Sequence, residues 1–91
     1  MEGYALIHCE VGKADEVAER VTALEGVVMA ETVTGPYDVV VRVRRACEHD
    51  LVHCLEDEVL AIPGVTRVMV CTLASHDRLW EIGLVPAGAA S

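Results

Sequence analysis

The sequence predicts a ferredoxin-like α+β fold: βαββαβ, one antiparallel sheet with two helices on one face, paired with a second copy as a dimeric α/β barrel. Three observations carry it. Four β-branched or alternating runs are separated by two stretches with helical spacing of apolar residues. The two halves share a joint, since "LEGVVMAETV" and "IPGVTRVMVC" both place Gly-Val between helix and strand. The 91 residues are enough for one small domain and too few for two.

Taken in order, residues 4–10, "YALIHCE", alternate Tyr4/Leu6/His8 with Ala5/Ile7/Cys9 and read as a strand with both faces partly apolar. After Val11-Gly12-Lys13, apolar residues fall at Ala14, Val17, Ala18, Val21 and Leu24, the stripe of an amphipathic helix. Asp15 and Glu16 occupy its first turn, where the helix dipole favours acids, and Gly26 ends it. Residues 27–34 and 38–45 form two strands of a hairpin joined through Gly35-Pro36-Tyr37, with Pro36 suited to the first central position of a type I or II turn. A second helix is expected from about Cys47 to Ala61, striped by Cys47, Leu51, Cys54, Leu55, Val59 and Ile62 and stopped by Pro63-Gly64. Residues 65–73, "VTRVMVCTL", supply the fourth strand.

Helices on one side leave the other sheet face bare, yet the strands are apolar on both. Val39/Val41/Val43 oppose Val40, and Val68/Val70 oppose Met69/Cys71/Leu73. A solvated face would alternate more cleanly. The expected cover is a second copy of the sheet in a two-fold dimer. Residues 1–75 form the domain, and 76–91 an extension with an extra strand through Leu79, Trp80, Ile82, Leu84 and Val85 before a small-residue tail.

Composition narrows the function. Hydrophobic residues make up 53% of the chain, with no Phe and one Trp, so Val, Leu, Ile and Ala must build the core and leave apolar surface for an interface. A net charge of −8 argues against nucleic acid, and Arg42, Arg44 and Arg45 read as the solvated end of a strand. No run is long enough to span a membrane and no signal peptide stands at the start, so a cytoplasmic protein is expected. Cys9, Cys47, Cys54 and Cys71 lack paired spacing and read as small buried hydrophobes.

Catalytic machinery is not visible, and no cofactor is implied. His8 and Cys9 are neighbours in a strand and point to opposite faces. His49, His53 and Asp57 make an i, i+4, i+8 row in which two histidines can share a zinc or nickel ion. A solvated helix face is the simpler reading, and no metal site is assigned from sequence. Gly12-Lys13 is a helix entry without the further glycines of a nucleotide loop. The recognition candidate is Thr34-Gly35-Pro36-Tyr37-Asp38, which combines open backbone N–H groups, a ring and a carboxylate. An α-amino acid needs donors for its carboxylate and an anion for its ammonium group. The plainer alternative is that Asp38 ties the hairpin by local hydrogen bonds.

"GKADEV" (12–17), "VTGPYD" (33–38) and "IPGV" (62–65), in that order and spacing, resemble the effector-binding domain of leucine-responsive/asparagine-responsive (Lrp/AsnC) regulators, across residues 3–74. The chain resembles the stand-alone form, the regulation-of-amino-acid-metabolism (RAM) module, without the helix-turn-helix. The resemblance implies face-to-face dimers, rings that are commonly octamers of four dimers, and an amino-acid effector in clefts between dimers. It also implies a helix-turn-helix partner and an indirect role in transcription. The effector cleft maps onto Gly35, Tyr37 and Asp38, with Thr34 adjacent. Val68 and Val70 stand where the family often has threonines on its last strand, so a ligand there would meet no hydroxyls. Two other functions fit the same layout: a dimeric α+β barrel enzyme of the monooxygenase kind, with a pocket between helices and sheet holding groups such as His8, or a purely structural oligomerisation module.

Overall fold

The computed structural model describes residues 1–73; the expected extension at 76–91 lies outside them. Its elements run β1 (Glu2–Cys9), α1 (Ala14–Val21), β2 (Val27–Thr32), β3 (Val39–Arg44), a π-turn (Asp50–Cys54) leading into α2 (Leu55–Leu60), and β4 (Val65–Leu73). The strands form one antiparallel sheet in the order β2-β3-β1-β4. This is the ferredoxin-like arrangement.

The core is one aliphatic cluster. Ala5 and Ile7 of β1 and Val39, Val41 and Val43 of β3 meet Val17 and Val21 of α1 and Leu51, Leu55 and Val59 of the second helix, all fully buried. Each Val or Leu so buried contributes about 1.5–3 kcal/mol, which is why a core without Phe suffices. The strand residues of this cluster share one parity. Those of the other parity, Tyr4, Leu6, Val40, Met69 and Cys71, are outside it, so neither helix covers that face. Among the described residues the second apolar face read from the sequence is present without a helix over it; Met69 is exposed there and Leu6 is buried.

Several local expectations are corrected. β1 begins at Glu2 rather than residue 4, because Glu2 pairs with Arg44 on one side and Leu73 on the other. α1 ends at Val21, and the Thr22 hydroxyl donates to the Glu19 carbonyl (2.6 Å) where continuation to Leu24 was expected. The second helix is not uniform, since the Leu55 N–H reaches back five residues to the Asp50 carbonyl and opens a π-turn. Leu51, Leu55 and Val59 keep the inward stripe; Cys47 is exposed instead of packed, and Cys9, Cys54 and Cys71 are only half-buried. The four are free thiols.

Of the three arginines read as a solvated strand end, Arg44 is exposed, Arg42 is half-buried and Arg45 departs from that reading. Arg42 Nε donates to Glu2 at 2.6 Å and Arg44 to the same carboxylate at 3.3 Å. Arg45 is buried at 6% exposure, bonded to the Glu25 carbonyl, Asp50 and Glu58.

These contacts set the pH range of stability. The hydrogen bond from Arg42, with Arg44 beside it, holds the Glu2 carboxyl below its ordinary 4.5. Its contribution is therefore complete above that value and lost as pH falls through the lower folded one. Burial raises the Cys71 thiol above 9.0, and burial together with the Asp38 charge raises Cys9. Their contribution is complete below 9.0 and lost as pH rises beyond it. Glu2→Gln should flatten the acid limb of a urea-midpoint profile and leave the alkaline limb, whereas Cys71→Ala should do the reverse. An unchanged acid limb in Glu2→Gln would show that other carboxylates set it.

Candidate functional site

The hairpin loop is built around Asp38. Its N–H donates to the Ile7 carbonyl (2.9 Å), its carbonyl accepts from the Val33 N–H (2.9 Å), and its Oδ2 accepts from the Cys9 N–H (2.7 Å). The loop is thus closed by the Val33–Asp38 pair, a wide bend rather than a tight turn centred on Pro36. The carboxylate thus adds a bond to β1 beyond the last β1–β3 pair, Ile7 with Val39. One Asp38 oxygen therefore has a structural task, though a long-range one to β1 and not the local hairpin bond of the plainer reading.

Thr34, Gly35 and Pro36 stand exposed above this base, with Tyr37 and Asp38 half-buried. Gly35 has φ of +145°, which side-chain-bearing residues rarely adopt, and nothing lies within 4 Å of where a Cβ would sit. The loop backbone is open to approach at that point. Tyr37 turns onto the sheet face opposite the helices, where its ring meets His8 edge-on with centroids 4.7 Å apart. Its hydroxyl reaches Met69 Sδ at 3.7 Å.

Of the residues expected at the site, Thr34, Gly35, Tyr37 and Asp38 are together. Val68 and Val70 are elsewhere: they pair with Ile7 and Ala5 and pack against the core beneath the helices, on the opposite face from the Tyr37 ring. His8 and Met69 take their place beside Tyr37. Alternation groups His8 with Tyr4 and Leu6, and Met69 with Cys71 and Leu73; their approach to Tyr37 depends on β1 lying between β3 and β4.

A layered α+β sheet with an open loop at one end and a second apolar face that neither helix covers is the frame of a ferredoxin-like domain. The chain belongs to the Lrp/AsnC ligand-binding domain family, whose model matches residues 2–75. This is a regulatory family, not an enzymatic one, and its members typically oligomerise and bind amino-acid effectors. Among solved structures, the chain is similar to the hypothetical protein PHS023 from Pyrococcus horikoshii, with 25% identity, 82% of this chain and 92% of that one covered, and a TM-score of 0.70. It is similar to TTHA0845 from Thermus thermophilus at 26% identity, covering 81% and 95%, with a TM-score of 0.69. The Escherichia coli AsnC structure shares the fold, with a TM-score of 0.73 at 16% identity over 82% of this chain and 51% of that one. No curated protein matches the chain by sequence. Among the described residues no helix is long and apolar enough to cross a membrane.

Proposed function

We propose that the protein is a non-enzymatic, oligomeric amino-acid-binding module that acts on transcription or metabolism indirectly, by co-assembling with a helix-turn-helix member of its own family. The observation that carries this reading is the family match over residues 2–75, with the open Gly35 loop standing at the edge of an uncovered apolar face. Two copies pair through that face, and dimers join into a ring, an octamer of four dimers. The ligand lies against Thr34, Gly35 and Tyr37, where loop N–H groups take its carboxylate and the second Asp38 oxygen its ammonium. Binding shifts assembly only as far as the ligand's affinity differs between oligomers.

The test is light scattering and calorimetry across a panel of amino acids. Asp38→Ala is a poor control because it also strips the Cys9 N–H of its acceptor. Asp38→Asn keeps an acceptor there while removing the charge, and should weaken binding at least tenfold with little change in the urea midpoint. Tyr37→Ala should weaken it as well. Silence across the panel with an oligomer still present would leave the structural oligomerisation module as the function. The barrel-enzyme reading needs polar groups between helices and sheet; that interior is aliphatic, and His8 lies on the other face.

A further inference from the structure

The π-turn concerns a second place, on the outer side of the second helix. The segment His49-Asp50-Leu51-Val52-His53 carries two histidines one helical turn apart, and both are exposed. Their ring centroids are 5.0 Å apart, tilted by 43°. With metal–nitrogen bonds of about 2.1 Å and ring atoms about 1.2 Å from the centroid, two imidazoles on one ion at roughly 100° have centroids about 5 Å apart. The rings already stand at chelating distance.

The same two residues, with Glu48 and Val52, line a shallow depression of about 270 Å³. In an α-helix, residues five apart point about 140° away from each other, which would turn Glu48 away from His53. Glu48 and His53 nonetheless line the same depression, beside a π-turn of the kind that recurs at functional sites. Glu48 thus adds negative charge at the rim of the histidine pair.

We propose that His49 and His53 chelate a divalent transition-metal ion of the nickel, copper or zinc type. Among the described residues no three His, Cys, Asp or Glu side chains converge, so water completes the coordination sphere. The spacing resembles that of helical zinc hydrolases, where an acid between two histidines serves as general base. Here that acid, Asp50, is bonded to Arg45 at 2.9 Å, so the site binds metal without hydrolytic chemistry. Imidazole ligands favour this metal class over magnesium or calcium, which prefer oxygen.

The experiment is calorimetric titration of the intact chain with nickel(II) chloride. One ion per chain is expected, with His49→Gln and His53→Gln each weakening uptake at least tenfold and His8→Gln leaving it unchanged. Both positions are exposed, so circular dichroism of these variants should match the parent. No uptake by the parent, uptake unaffected by His53→Gln, or equal weakening in His8→Gln would each overturn the proposal.

Discussion

Replacing Gly26 by Ala should cost about 3 kcal/mol or more of folding stability, from a total of roughly 5–15 kcal/mol for a domain of this kind. Two effects add at this residue. Its φ of +80° disfavours any side chain, and a Cβ there would run into the Arg44 carbonyl oxygen and press on the Arg45 guanidinium. The approach is close because the Arg44 N–H donates to the Gly26 carbonyl at 2.8 Å, stitching the turn before β2 to the end of β3. Gly12 is the control, with an equivalent φ of +82° and nothing within 4 Å of its would-be Cβ. Gly12→Ala should therefore show the conformational cost alone, about 1 kcal/mol. At a urea slope near 1 kcal/mol per molar, the two midpoints should differ by about 2 M. Equal midpoints would show that the contact with Arg44 contributes nothing.

Arg45→Met is expected to have the next largest effect. Its side chain is 3% exposed and joins the turn before β2 to the second helix: Nε to the Glu25 carbonyl at 2.7 Å, and the terminal nitrogens to Asp50 at 2.9 Å and Glu58 at 3.1 and 3.2 Å. The Glu58 bonds, and then Asp50, raise its already high pKa further, so it stays charged throughout the working range. Removing one member of a buried ionic group costs about 3–5 kcal/mol when its partners are left dry. Asp50 and Glu58 are 31% and 38% exposed and regain some hydration, so about 2 kcal/mol is expected for Arg45→Met. Adding Asp50→Asn and Glu58→Gln should recover part of that loss, because the stranded charges are then gone. A triple variant less stable than the single one would mean that the acids stabilise the helix independently of Arg45.

The fold was legible because its signals are local. The stripe at Val17 and Val21, the β-branched runs and the glycines at the joints each act within a few residues. The loop at Thr34–Asp38 was legible for the same reason, since Gly35-Pro36 interrupts two apolar runs. Alternation also revealed that β1, β3 and β4 have two apolar faces, but it cannot say which face the helices choose. Val68 and Val70, read as cleft residues by position, are half-buried and pack against the core from the helix side, since Ile7 and Ala5 opposite them face the helices.

Order and type of elements, the second apolar face and the loop at Thr34–Asp38 follow from the sequence, through periodicity and the backbone preferences of Gly and Pro. The place of Arg45 does not, because a side chain within three residues of two other basic groups reads as solvated until Glu25, Asp50 and Glu58 converge on it. The meeting of His8, Tyr37 and Met69 likewise waits on the strand order β2-β3-β1-β4, and no periodicity announces the π-turn in the second helix. Local chemistry sets what each segment is. Long-range pairing, which trades chain entropy for burial, sets which side chains become neighbours.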